Sequence, residues 1–156
     1  MAMSAIELLR EHMPDVQLTT DVIVGFPGET DEDFEETLEF VRRARFLMIH
    51  VFPYSKRKGT PAAEMKDQVP SDVKKIRAER LSALAKEIRS EILKENVGKV
   101  YPVLFETFEG GVAKGHTANF LEISVESERP LTSMYLDVEI IDTSDEGCIG
   151  KLVKEA

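Results

Sequence analysis

Apolar positions along the chain follow two different periods, and the change between them divides the molecule. Residues 5–12 (AIELLREH) read as a short helix that stops ahead of Pro14, because a residue preceding proline avoids the helical region. Gln17 to Val24 is rich in β-branched residues and reads as a strand, followed by the turn signal Gly25-Phe26-Pro27-Gly28-Glu29. Thr30 is placed to cap a helix, with Asp33 three positions on as a variant of the capping box. Phe34, Leu38 and Val41 then recur at helical spacing, opposite an acidic face. The nearly continuous apolar run from Phe46 to Tyr54 reads as a second strand, covered on both faces. Strand, helix and strand in this length predict a βαβ unit with a parallel pair. A polar basic loop, Ser55 to Pro61, leads on to a long helix from about Ser71 to Glu95 with Val73, Ile76, Leu81, Leu84, Ile88 and Ile92 as its buried stripe and Ser71 as its cap.

After Asn96-Val97-Gly98 the period becomes two. Tyr101 to Thr107 reads as a strand that turns at Glu109-Gly110-Gly111. Leu121, Ile123 and Val125 alternate with polar residues, as do Leu136, Val138 and Ile140, and Gly150 to Val153 forms a last short strand. Five short strands in so few residues predict a small antiparallel barrel. The expected architecture is therefore α/β plus all-β, with the domain boundary near residue 96: residues 1–96 form one domain and 97–156 the other.

Charge narrows the choice of partners. The chain of 156 residues has a net charge of −9. Residues 97–156 hold five Lys and Arg against eleven Asp and Glu, a net of −6, which leaves −3 for residues 1–96. A polyanion is repelled on average, so any nucleic-acid contact must be local. A single cysteine, Cys148, excludes an internal disulfide and a cysteine-held metal cluster built by this chain alone; it is expected to be a buried thiol in a late turn. No apolar run approaches the length of a membrane span, and the start has no charged region followed by an apolar core, so no membrane association and a cytoplasmic location are expected.

Two segments are placed for chemistry. The turn after Val24 lies at the carboxyl end of a parallel strand, where ligands sit in such sheets, and its glycines let a ligand approach the backbone; its plain alternative is a tight turn without a ligand. The segment from Val51 to Pro61 leaves the carboxyl end of the other strand, so both loops are expected to open on one rim. There Tyr54 is suited to stacking and Arg57 to pairing with a carboxylate or phosphate; a solvated basic loop is the plain alternative. Asp21 and His50 fall on the two neighbouring strands, Asp21 on the face of Thr19 and Ile23, and His50 on that of Met48 and Phe52. A charge there needs a partner, and the histidine is expected to be a satisfied core residue. In the second domain Gly115-His116-Thr117-Ala118-Asn119-Phe120 lies between strands. With Lys114 it combines charge, amide and aromatic groups, a modest nucleic-acid signature whose plain alternative is a β-turn beside a core Phe.

The run Thr19 to Thr30, with Asp33-Phe34, Phe52-Pro53-Tyr54-Ser55, Arg57 and Gly59-Thr60-Pro61-Ala62-Ala63, resembles the second half of the radical-SAM domain of the tRNA methylthiotransferases. The form His50 to Ser55 looks closest to the subgroup that modifies threonylcarbamoyladenosine. Gly98-Lys99 and Gly115 to Phe120 resemble the TRAM domain that closes these enzymes. The resemblance implies a partial parallel (βα) half-barrel of the radical-SAM type followed by a small antiparallel, OB-like TRAM barrel. It further implies an enzyme that uses S-adenosylmethionine and two [4Fe-4S] clusters to add a methylthio group to an adenosine near the tRNA anticodon. Ile23, Val24 and Gly25 would then lie under the adenosyl group, with Asp21 and Ser55 in the same pocket. Phe52 and Tyr54 would flank that group, and Arg57 would reach the cofactor or a substrate phosphate. Lys114, His116, Thr117, Asn119 and Phe120 would contact RNA. The family's C-x-x-x-C-x-x-C motif is absent, so no cluster is expected on this chain, which alone is expected to be inactive without an amino-terminal half as its partner. Asp21 stands where many members of the wider superfamily have glycine. The competing expectation is a stand-alone RNA-binding module on a helical scaffold, without catalysis.

Overall fold

The structure, a computed structural model, describes residues 2–153. The described residues divide into two compact units, one of residues 2–14 and 18–89, the other of residues 15–17 and 90–153. The division falls within the long helix, ahead of residue 96.

In the first unit, α1 (Ala2–His12) precedes β1 (Thr19–Val24), α2 (Asp31–Ala44) and β2 (Met48–Pro53), followed by a single turn α3 (Pro61–Glu64) and α4 (Ser71–Lys94). The parallel pair expected from the βαβ pattern is present, with Asp21 opposite His50 and Ile23 opposite Phe52. Among the described residues this sheet has two strands. The start of α2 forms as its sequence dictates: Thr30 Oγ1 accepts the Asp33 N–H at 3.1 Å, and Asp33 Oδ2 accepts the Thr30 N–H at 2.8 Å. Phe34, Leu38 and Val41 are buried, as their spacing requires. At the other end of α2, Arg45 adopts a left-handed conformation, and Arg10 of α1 donates to the carbonyls of Ala44 and Arg45 at 2.6 and 3.0 Å. These bonds satisfy carbonyls that a helix end leaves without partners.

The buried stripe of α4 differs from the expected one most at Ile76; Val73 is half-buried, and Leu93 is buried as well. Ile76 is 55% exposed, whereas Arg77 is buried at 5%. Positions 73, 77, 81, 84, 88 and 92 make the better helical stripe; a pattern read from apolar residues alone passes over an arginine and takes its apolar neighbour.

The second unit is a closed barrel of β3 (Val100–Glu109), β4 (Val112–Thr117), β5 (Glu122–Glu126), β6 (Tyr135–Thr143) and β7 (Cys148–Leu152). The strand order around the ring is β3-β4-β5-β7-β6. All pairs are antiparallel except β5 with β7, which are parallel. This corrects the expectation of a fully antiparallel barrel, and the reason is arithmetic. Strand directions cannot alternate all the way round a closed ring with an odd number of members. Val103, Phe105, Ala113, Leu121, Ile123, Leu131, Val138 and Ile140 fill the interior, each at most 1% exposed. Gly115, His116 and Thr117 belong to β4 and not to a loop between strands; the turn itself is residues 118–120. Cys148 is buried as expected, but opens β7 instead of lying in a turn.

Candidate functional site: a cavity at the carboxyl ends of the parallel strands

Both loops leave the same end of the β1–β2 pair. Val24 is the register partner of Pro53, and the Tyr54 N–H donates to the Val24 carbonyl at 2.8 Å. The Phe26 and Tyr54 rings then meet edge to face, 5.3 Å between centroids. The expected shared rim is therefore present.

A cavity of about 620 Å³, open to solvent, lies along this rim. Asp21, Ile23, Phe52, Tyr54, Ser55 and Arg57 line it, joined by Pro53, Thr60 and Ala62. Val24 and Gly25, the other two expected members, do not. Val24 is 1% exposed and lies in the core, because strand alternation turns it away from the face that carries Ile23. Gly25 contributes by conformation. Its φ is +70°, and a Cβ there would run into the Lys74 side chain, so only glycine suits this turn. The wall is apolar where Ile23 and Phe52 sit side by side, 55% and 50% exposed. Polar side chains in the lining come from Asp21, Ser55, Thr60 and Arg57, and Tyr54 bears a hydroxyl. His50 is not a core residue: it is exposed on the face of Phe52, their rings 6.5 Å apart.

The rim is tied down by α4, a helix that no local pattern places at the site. Lys74 Nζ donates to the Tyr54 carbonyl at 2.9 Å. Arg77 donates to the Glu29 carbonyl, to Glu29 Oε1 and to Asp31 Oδ1 at 3.1, 2.6 and 2.7 Å. Burial opposes the Arg77 charge, but its bonds to Asp31 and Glu29 and their charges outweigh that cost and hold the guanidinium above its ordinary pKa.

The barrel residues singled out by sequence are not one surface cluster. Thr117 is buried; its hydroxyl donates to Asn119 Oδ1 at 2.5 Å and accepts the Leu121 N–H at 2.9 Å, so it holds the turn. Asn119 donates to the Asp15 carbonyl at 2.8 Å. Lys114 pairs with Glu146 at 2.6 Å, and that hydrogen bond and charge hold its ammonium above the ordinary pKa. His116 Nδ1 lies 2.7 Å from Glu106 Oε2. Phe120 stands apart. It is 78% exposed, not a core residue, and its φ of +64° is one that bulky side chains avoid. Two outward residues that sequence reading missed, Leu104 and Tyr135, are cross-strand partners at 46% and 63% exposure, and Leu104 is also the partner of His116. Their alternation was legible, but nothing in it separated a solvent-facing apolar residue from a core one.

Comparison with known proteins names the class first. Residues 1–41, which contain β1 and the turn after it, match the model of the radical SAM superfamily. The particular relatives are more specific. The chain is 42% identical over 149 residues to the tRNA-2-methylthio-N(6)-dimethylallyladenosine synthase of Aquifex aeolicus, covering 96% of this chain and 34% of that protein. To the synthase of the same name from Caldicellulosiruptor saccharolyticus it is 39% identical over 150 residues, 95% of this chain and 32% of the relative. The Bacillus subtilis synthase is 54% identical over 104 residues, 67% of this chain and 20% of that protein. The chain thus spans about a third of the length of the first two relatives. The threonylcarbamoyladenosine subgroup suggested by His50 to Ser55 finds no support in these names, which all specify dimethylallyladenosine. No helix among the described residues is long and apolar enough to cross a membrane.

Proposed function

We propose that this chain is the carboxy-terminal part of a radical-SAM tRNA methylthiotransferase that acts on N6-dimethylallyladenosine near the anticodon. On this reading residues 1–96 are the second half of the radical-SAM domain, and residues 97–156 are an OB-like TRAM domain that contacts tRNA. The observation that carries the proposal is the cavity at the shared rim, in a chain similar over 95% of its length to tRNA methylthio-adenosine synthases. The 1-2-3-5-4 order of the barrel strands, with the third and fifth parallel, supports the OB-like reading of the second unit.

The residues present fit the adenosyl part of S-adenosylmethionine. Ile23, Phe52 and Tyr54 offer apolar and aromatic surface to the base, while Asp21 and Ser55 offer hydrogen-bonding groups to hydroxyls and Arg57 a cation to a carboxylate or phosphate. S-adenosylmethionine, cleaved reductively at an iron–sulfur cluster, supplies the one-electron chemistry of this enzyme class. This chain does not fit a cluster: such clusters take cysteine thiolates, and the one cysteine is buried at the start of β7. The clusters therefore belong to another part of the enzyme. This chain's share is to bind and orient: an apolar wall for the base, and a rim of fixed loops.

Phe120 supports the RNA-contact role. A bulky residue in the left-handed region costs about 1–3 kcal/mol, and here that cost brings no core contact. An exposed ring held in this way suits stacking on an unpaired base. Lys114, His116 and Asn119 would assist, with Leu104 and Tyr135 extending the apolar face. The carboxylates paired with Lys114 and His116 keep the contact local.

The test is a chimera in which this chain replaces the corresponding segment of the Aquifex aeolicus enzyme. Its product is read by mass spectrometry on tRNAs carrying N6-dimethylallyladenosine or N6-threonylcarbamoyladenosine. Methylthiolation of the dimethylallyl tRNA is expected. Methylthiolation of only the threonylcarbamoyl tRNA would reverse the substrate assignment, and none on either would overturn the enzyme reading. A second reading, an RNA-binding module without catalysis, draws on the barrel being complete in itself. It requires the isolated chain to bind tRNA at low salt and to weaken as salt rises.

A further inference from the structure

We propose that Lys74 and Arg77, one turn apart on α4, are positioning residues that hold both rim loops in the geometry the cavity needs. The inference rests on the reading of that cavity as a cofactor pocket. Neither residue lines the cavity; each acts through a loop that does or that borders it.

Arg77 grips the turn after β1. Its guanidinium reaches the Glu29 carbonyl, the Glu29 carboxylate and the Asp31 carboxylate. The second oxygen of Glu29 accepts the Gly25 N–H at 3.0 Å, so the carboxylate relays the position of Arg77 to the residue that follows Val24. Arg77 and Glu29 side chains are 6% and 15% exposed, whereas Asp31 is 96% exposed. The Glu29 pair is thus the one shielded from salt. Lys74 grips the other loop through the Tyr54 carbonyl, with its ammonium 5.8 Å from the Tyr54 ring centroid. Its stem also fills the space that a side chain at Gly25 would take. One helical turn therefore fixes the backbone on both sides of the Tyr54–Val24 hydrogen bond.

A purely structural salt bridge would stabilise the unit without setting the pocket. Here the bonds end on the rim itself: two carbonyls and, by relay, one N–H.

The experiment has two readouts. In this chain, amide hydrogen exchange is followed at Gly25, Glu29 and Tyr54, with barrel amides as the internal control. Arg77→Met is expected to speed exchange at Gly25 roughly tenfold to a hundredfold, the value of one or two charge-assisted hydrogen bonds. Arg77→Lys should recover part of that protection. Lys74→Met, which keeps the packing stem, should act chiefly at Tyr54 and serves if Arg77→Met does not fold. Unchanged exchange at both sites would overturn the clamp. In the full-length enzyme carrying this chain, equilibrium binding of S-adenosylmethionine should weaken about tenfold in Arg77→Met and Lys74→Met. The KM should rise more than kcat falls. If the unsubstituted enzyme binds no S-adenosylmethionine, the pocket reading falls while the exchange data still decide the clamp. If it binds and both variants bind equally well, the pocket reading stands and the positioning role is wrong.

Discussion

The barrel and the βαβ unit solve the problem of burying a sheet in opposite ways. Every strand of the barrel is paired on both edges, and its interior is sealed, with Val103, Leu121 and Ile123 at 0% exposure. In the βαβ unit one face of β1 and β2 is packed, while Ile23, Met48 and Phe52 on the other remain 41–55% exposed. The closed sheet spends its apolar residues on stability. The open one keeps them at a surface, which is where the cavity and its aromatic wall lie. The contrast shows why apolar residues of similar type in the two units are expected to have such different roles.

The largest expected effect separates core from wall. Phe105→Ala in the barrel should cost about 3–5 kcal/mol in urea denaturation, whereas Phe52→Ala on the open face should stay within about 1 kcal/mol. Similar losses at both positions would mean that the open face is a core after all. Next comes the tightness of barrel closure. A Cβ on Gly115 would meet the Leu104 carbonyl and the Phe105 Cα of the neighbouring strand, so Gly115→Ala should cost about 1–3 kcal/mol through overpacking.

A smaller effect belongs to α2. Thr30→Ala removes the cap and should cost about 1 kcal/mol. Its pH dependence is fixed by Asp33, whose carboxyl is held below its ordinary 3.8 by the Thr30 N–H and then by the Thr30 hydroxyl. A depressed carboxyl contributes stability above its unfolded pKa and loses it as pH falls through the folded value. The gap between wild type and Thr30→Ala should therefore be full at neutral pH and shrink below about pH 4. The smallest change in stability is expected at Phe120. Phe120→Gly relieves the left-handed strain, and stability should hold or rise by up to about 1 kcal/mol, while affinity for tRNA falls about tenfold with the loss of a stacking ring. A stable variant that binds tRNA as before would remove Phe120 from the interface.

Periodicity and turn chemistry were enough for the local events: the capped α2, the parallel partner strands, the common rim of the two loops, and the alternation of the barrel strands. These are short-range consequences of residue type, and they read correctly because each segment's own pattern favours the structure it adopts. Three decisions were left to the tertiary structure. Arg77 is buried because Glu29 and Asp31, more than forty residues away in sequence, arrive to pair with it. Thr117 turns inward while Phe120 turns out, because ring closure and not residue type sets which side of the turn is covered. A closed ring of five strands needs at least one parallel pair, and the tertiary structure places it at β5–β7. For Arg77 and for the β5–β7 pair the deciding partner lies far along the chain, where no local pattern carries its signature.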